Sequence, residues 1–451
     1  MPKVIVANVD SDSMCGTDMP PEIHALSSMC CDRLLVMAEA EDLVVLPHSV
    51  SDAYLDYVGT LLGRKLSRRN VVVPDGGDER LLILNDASLN SGSVAAQIRE
   101  RAGDLTGWHL EAYFLDRPVM ALSDELGIPL AGIDPGTDQA CRDFLRCGGA
   151  ETFNSKVLFR QLAATVAAPV PAGRVASSPQ ELAAALRVLL PDTGRVIIKQ
   201  DINSGGAGNT VVTRYDETIL TGASRVLQTD ADSAEEFAAV AAELWPLVAR
   251  QRNVRVVAEA YHQAAHVYYS ELWVPGPAGS PRLLNFGEMR MEPTFIGFEI
   301  PGQQMLPADL GDMTGHSMNL AREAGRRGFV GYINIDSITT VDGRLFFNEV
   351  NGRMGCCTNI DYLARVLVGE DYTRQRVVLT YNWIDVRDFD TAVKALESAG
   401  AAFDPETKTG VIIAVEDVAR CGAIDYMVIG LDVEHARELE KRALGAFESA
   451  A

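Results

Sequence analysis

The stretch from Ile333 to Arg353, INIDSITTVDGRLFFNEVNGR, reads as two strands around a tight turn. Asp342-Gly343 is a strong two-residue hairpin signal, because both central residues of a type I′ turn need positive φ. A turn there sets Val341 opposite Arg344 and, counting outward, Asp336 opposite Glu349 and Asn334 opposite Asn351. Strand side chains alternate, so these two acids and two amides share one face, while Ile333, Ile335, Phe346 and Val350 share the other. A longer loop would spoil this register.

Directly opposed side chains lie roughly 4.5–5.5 Å apart at Cβ, and like charges there repel. Asp, Glu and an Asn carbonyl form an oxygen-only set that suits Mg²⁺ or Mn²⁺. The bland alternatives are that one acid is protonated, or that both face water and are bridged by Arg344 and Arg353. Asn351 and the apolar opposite face favour metal.

The 451 residues, 47% of them hydrophobic, can bury several cores, so two or three domains are expected. With 62 acidic against 40 basic residues the formal charge is −22, which argues against a nucleic-acid partner. MPKVIVANVD reads as a first strand and lacks the segments of a secretory signal, and no run of about 18 apolar residues suggests a membrane span. A cytoplasmic protein is expected. The eight cysteines show no zinc spacing and read as reduced, packed thiols, including Cys356 and Cys357 just past the acidic strand.

From residue 1 to about 150, apolar runs (KVIVANV, DLVVLP, RLLILND, WHLEAYFL) alternate with helical patterns such as Met29 to Ala40, predicting an α/β domain with a parallel sheet. Residues 151–370 read as mixed α+β. Helices are expected at Ser155 to Val166, Pro179 to Leu190, Ala234 to Arg250 and Met318 to Arg326. Strands are expected at RVIIKQ, TVVTRY, VRVVAEAY, HVYYSELWV and RLLNFGEMR. The Pro- and Gly-containing run GEMRMEPTFIGFEIPGQQ reads as a substrate-covering segment. Residues 371–451 look like a small α/β appendage, with strands at RVVLTYNWI, GVIIAVED and DYMVIGLD.

In VIIKQDINSGGAGNTVV, Lys199 ends a strand and SGGAGN, with Ser204, Gly205 and Gly206, makes the following turn. Such glycines let backbone N–H groups approach a phosphate, although the run is neither a Walker A loop nor GxGxxG, and alone it reads as an ordinary turn. Lys156 opens an amphipathic helix and is otherwise a solvated surface lysine. Together with the acid pair, these are the parts that hold a triphosphate: cation, countercharge and backbone amides.

Lys156, Lys199 with SGGAGN, the strand VAEAY and the D…NEVNGR pattern follow the order and spacing of the ATP-grasp carboxylate–amine ligases, which this chain resembles over most of residues 150 to 370. The first domain looks like a pre-ATP-grasp domain. Within the superfamily the chain is most similar to the pheganomycin-type peptide ligases, which join a nonribosomal amino acid to the N-terminus of a peptide. The resemblance implies that Lys156 and Lys199 meet the ATP phosphates and adenine pocket, that Glu259 and Tyr261 form the hinge at adenine, and that Asp336, Glu349 and Asn351 hold Mg²⁺. Many relatives carry a ribose-binding Glu seven residues after the hinge Glu, where this chain has His266. His266 either hydrogen-bonds the sugar or packs in its strand. Arg290 and Arg353 are candidates for the transferring phosphoryl group, because the planar guanidinium fork suits it, although Arg353 would also neutralise the acids.

The implied reaction joins an amino-acid carboxylate to the amine of an amino acid or peptide through an acyl phosphate, with ATP as co-substrate. The rival readings are a non-catalytic ATP-binding protein, an ATP-dependent carboxylase of the same fold, and a nicotinamide-binding first domain, which the missing GxGxxG disfavours. A homodimer is expected only from the frequency of cyclic symmetry.

Overall fold

The structure is a computed structural model that describes residues 1–9, 11, 25, 27–75, 83–203, 206, 208–249 and 254–450. Strands β1 (Lys3–Val6), β2 (Leu43–Val45), β3 (Val71–Val72) and β4 (His109–Ala112) form a parallel sheet in the order β3-β2-β1-β4. The helical stretch expected around Met29 to Ala40 is a 3₁₀ helix, Cys30–Met37. The described part of RLLILND, residues 83–86, is not strand, and its last residue opens helix Asp86–Leu89; Val71–Val72 takes the sheet edge instead.

A second sheet contains β5 (Gly173–Ala176), β6 (Arg195–Gln200), β7 (Thr210–Thr213), β8 (Arg225–Gln228) and β9 (Val256–Ala260), in the order β5-β9-β6-β7-β8. Helices Pro179–Thr193 and Ala234–Val248 cover one face, where Leu182, Leu186, Leu190 and Phe237 close a core with Val196, Ile198 and Val256. Both helices begin at a serine N-cap, Ser178 or Ser233, that accepts from the third residue on and satisfies an otherwise orphaned donor.

The third sheet has eight strands: β10 (Ala264–Val274), β11 (Arg282–Glu292), β12 (Thr294–Ile300), β13 (Gly331–Thr340), β14 (Leu345–Asn351), β15 (Val377–Asp385), β16 (Gly410–Asp417) and β17 (Ala423–Gly430). Their order is β14-β13-β10-β11-β12-β15-β17-β16, so the sheet runs through residue 370 into the C-terminal strands. GEMRMEPTFIGFEIPGQQ, expected as a substrate-covering segment, supplies most of a β11–β12 hairpin that turns at Pro293. Of its aromatics, Phe298 is buried in the core and Phe295 is half-buried against it. Phe295 and Phe298 pack at 4.7 Å between centroids, and Phe298 meets Tyr269 at the same distance.

The β13–β14 hairpin reaches the expected acid register by an unexpected route. Thr340 N donates to Arg344 O and Gly343 N to Thr340 O, so the loop has three residues, Val341 to Gly343, with Gly343 at φ 80°. That longer loop pairs Ser337 with Phe347 and Ile338 with Phe346. An irregularity between Asp336 and Ser337 then absorbs the extra residue, Asn348, and restores Asp336 opposite Glu349 and Asn334 opposite Asn351. Between loop and bulge the parity is inverted, so Phe347, not Phe346, joins Ile333, Ile335 and Val350 in the core against helix Pro307–Arg326. Phe346 instead stacks on His262 at 5.0 Å.

The two adjacent phenylalanines therefore separate the two registers. Phe347→Ala should cost about 3–5 kcal/mol in urea unfolding and Phe346→Ala under about 1.5 kcal/mol; the reverse order would mean the two-residue turn.

Candidate active site

The elements around the acid row are locked by Asp201, just past β6. Its carbonyl accepts from Lys156 N at 2.9 Å and its Oδ1 from Val157 N at 3.0 Å, while Arg255 pairs with Oδ2 at 2.7 Å. Ser155 caps the same helix start, accepting from Leu158 N at 3.1 Å. Lys156 is thereby held at the first turn of helix Lys156–Thr165, 7% exposed, and its Nζ reaches Glu349 Oε2 at 2.7 Å and Asn203 O at 3.0 Å.

Lys199, on β6, pairs with Glu259 Oε2 on adjacent β9 at 2.7 Å, and Arg160 takes the other oxygen of the same carboxylate. Glu259 is 2% exposed and its side chain is thus spent on two cations. Tyr261 packs with Ile197, Val211 and Ala223 and donates to Thr221 O at 3.1 Å; burial pushes its hydroxyl up to about 12. Ser204 and Gly205 lie outside the described residues. Gly206, at φ +72°, accepts from Asn209 N at 3.0 Å, a turn that requires the left-handed conformation glycine tolerates.

Asp336, Glu349 and Asn351 converge as expected. Asn351 Nδ2 lies 3.4 Å from Asp336 Oδ2 and 3.5 Å from Glu349 Oε1, and its Oδ1 accepts from Arg353 Nη2 at 3.1 Å. Burial, and then the facing Glu349 charge, push the Asp336 carboxyl well above its usual range. Burial also acts to raise Glu349, but Lys156, Lys199 and the Asp336 proton outweigh it and hold Glu349 at about 2. The two acids thus share a proton and titrate as a pair. Among the described residues, no three His, Cys, Asp or Glu side chains gather as a metal cluster. The donor set nevertheless fits Mg²⁺, which takes one or two carboxylates and completes its shell with substrate phosphates and water. Asn351 would have to turn its amide over to offer Oδ1, releasing Arg353 Nη2.

Arg353 also reaches Tyr113 OH at 3.4 Å and stands 5.8 Å from that ring's centroid, which ties the acid row to the N-terminal sheet's loops. Its backbone is placed by Asn334 together with residues that the sequence pattern did not single out. Glu271, 1% exposed on β10, accepts from Asn285 Nδ2 at 2.7 Å, Gly355 N at 3.2 Å and Asn334 Nδ2 at 3.3 Å, and from the Thr358 hydroxyl; Asn334 in turn donates to Arg353 O at 3.0 Å. The signal for Glu271 was its interior position in an apolar strand, where an acid needs several donors. Tyr113 and Asp201 carried no comparable signal.

His266 and Arg290 stand elsewhere. His266 Nδ1 is 2.7 Å from Glu288 Oε1 and its ring stacks on Tyr268 at 5.7 Å. Arg290 is held by Glu440 of helix Val433–Ala450, at 2.5 Å and 3.1 Å, and donates to Thr380 O at 2.9 Å. Both line a cavity of about 400 Å³ beside β10, β11 and β12, whereas Arg353 stands in the acid row.

Opposite stability effects should follow in the two acids. A raised native pKa means that native Asp336 binds its proton more tightly than the unfolded chain does, so stability falls as pH rises from the unfolded value through the native one. In EDTA at pH 8, Asp336→Asn should therefore stabilise the protein by about 1 kcal/mol, and Glu349→Gln, which strands Lys156, should destabilise it by a similar amount. Melting curves of both variants against pH check the pair of signs.

Comparison with known proteins agrees with this architecture. The Pre ATP-grasp domain family matches residues 31–128 and the PGM1 C-terminal domain family matches residues 391–443. A search of curated proteins returns no match. Among solved structures, N5-carboxyaminoimidazole synthetase from Staphylococcus aureus complexed with ADP aligns over 98% of this chain and 96% of its own, at 10% identity and a TM-score of 0.56. Biotin carboxylase from Campylobacter jejuni aligns over 98% and 91%, at 13% identity and 0.56. The synthase from Aspergillus clavatus, with ADP and 5-aminoimidazole ribonucleotide, aligns over 99% and 98%, at 12% identity and 0.53. The chain thus has the ATP-grasp fold, with a pre-ATP-grasp domain on its N-terminal side and a PGM1 C-terminal domain behind it.

Proposed function

We propose that the protein is an ATP-dependent carboxylate–amine ligase, and within that class a peptide ligase of the pheganomycin type. The observation that carries the reading is the constellation of Asp336, Glu349, Asn351, Lys156 and Arg353, an acid pair with countercharges on both sides. A protein that only binds nucleotide has no need of a second half-buried acid opposed to the first. We read the chain as three units, 1–150, 151–370 and 371–451, acting in the cytoplasm on small amino acids and peptides, with a homodimer as the simplest assembly.

Asp336, Glu349 and Asn351 would hold Mg²⁺, which supplies charge neutralisation at the phosphates of ATP. Lys156 and Lys199 bring positive charge to the cleft between the two sheets, and each is poised on a carboxylate that a nucleotide phosphate would compete with. The substrate carboxylate attacks the γ-phosphorus and ADP leaves, giving an acyl phosphate. No protein nucleophile is required, because the chemistry is positioning and charge neutralisation. Arg353, fixed from behind by Asn334 and Glu271, faces the developing charge. The amine then attacks the acyl carbon, phosphate leaves, one proton is lost, and the amide remains. Glu259 and Tyr261 would form the hinge beside adenine, with the Glu259 side chain positioning Lys199 and Tyr261 N anchored on Arg195 O at 3.0 Å.

A second reading is a carboxylase, in which bicarbonate is the carboxylate. It is favoured by the aligned synthetases and biotin carboxylase, of which one homologous domain was crystallised with bicarbonate. Bicarbonate-dependent ADP release without an amino acid would select it.

ADP release from Mg²⁺-ATP, followed with a panel of amino acids and short peptides and with mass spectrometry, tests the ligase. ADP with a product one water lighter than both partners supports it; ADP release with no amide product from any carboxylate–amine pair sinks it. Glu349→Gln should lower turnover by at least about 10²-fold. Lys199→Ala should raise the KM for ATP about tenfold or more, and an unchanged value would remove it from the nucleotide site.

A further inference from the structure

The cavity of about 400 Å³ beside β10, β11, β12 and β15 has the size of a small-molecule site and a lining that the nucleotide reaction leaves unassigned. Glu288 and Glu299 are direct cross-strand partners in its wall, the same opposed-acid arrangement as Asp336 and Glu349. In the acid row a lysine stands 2.7 Å from one carboxylate. Here the compensation is incomplete. Among the described residues the cationic counter-group of Glu288 is His266, at 2.7 Å, while Glu299 accepts from Gln303 N at 3.1 Å and has as its cation the tip of Arg437 at 3.5 Å, on a side chain 62% exposed. Arg290 does not help, because Glu440 and Thr380 O occupy its guanidinium. Burial raises the Glu288 carboxyl; the His266 hydrogen bond and charge act against that rise without cancelling it, and the facing Glu299 adds to it. The remaining wall includes Met289 and Met291, whose flexible thioethers adapt to a ligand chain.

We infer that this cavity is a specificity site for a substrate bearing an organic cation, an ammonium or guanidinium that enters between Glu288 and Glu299. That the cation belongs to a substrate rests on the ligase reading above; the binding site itself does not. Because β11 stands two strands from β13, roughly 10 Å across the sheet, this charge is a second positive group of the substrate and not the amine that reacts. Thr221, from the segment between β7 and β8, borders the same cavity and accepts from Tyr261, so the site opens where the two sheets approach each other.

Calorimetric titration of the full chain with n-butylammonium and n-butylguanidinium, against neutral n-pentanol, tests the site. Both cations should bind and the alcohol should not. Glu299→Gln should weaken cation binding five- to tenfold, Glu299→Lys should abolish it, and Arg437→Ala, at an exposed position that cannot unfold the protein, should strengthen it about twofold. Equal binding of the alcohol, or cation binding unmoved by Glu299→Gln, overturns the inference. In turnover, matched lysine- and norleucine-containing substrates should differ at least fivefold in KM in the wild type and not in Glu299→Gln. A Glu299→Gln effect that falls on the KM for ATP instead would make the cavity part of the nucleotide site and overturn it as well. Hydroxylamine trapping of the acyl phosphate reports the ligase reading separately: no hydroxamate with any carboxylate sinks that reading and leaves the calorimetric result standing on its own.

Discussion

Two like charges, Asp336 and Glu349, face each other across adjacent strands, and much of the surrounding structure counters that repulsion. Lys156 reaches over from a helix start, Asn351 and Arg353 close the other side, and the acids share a proton. The position of Lys156 in turn depends on Asp201, which ties the helix to the end of β6 and so couples the five-stranded sheet to the acid row of the eight-stranded one.

The same logic recurs at other depths. Glu271 is buried but fully supplied with neutral donors, and that supply fixes the segment after Asn351 from which Arg353 projects. Glu259 is buried between two cations and positions Lys199. Glu288 and Glu299 are opposed with a histidine and the exposed tip of Arg437 as their cations, and there the fold leaves a cavity. Whether a buried acid is framework or site is set by how completely the chain itself satisfies it.

Reading the hairpin from its residues placed the acids correctly although the loop was misjudged. A three-residue loop and a bulge at Asn348 displace the register in opposite senses, and the two cancel at Glu349 but not at Phe346 and Phe347. Strand β12 was hidden by Pro293 and the glycines around it, which mark turns locally; its pairing with β11 is decided by neighbours. The elements with strong periodicity, such as β6, β16 and helix Pro179–Thr193, lie where their patterns put them, because burial of one face dictates both pattern and element.

The linear order of residues by itself determined the alternation of strands and helices, the opposed acid pair with its flanking asparagine, and the two lysines, because each follows from local periodicity or short-range spacing. Only the tertiary structure decided which cation meets which acid. Lys156 meets Glu349 across 193 positions of sequence and Arg290 is drawn to Glu440 across 150, contacts that arise from the approach of separately formed elements and leave no trace in spacing. The cavity between Glu288 and Glu299 belongs to the same class, since a void is a property of packing and no run of residues encodes it alone.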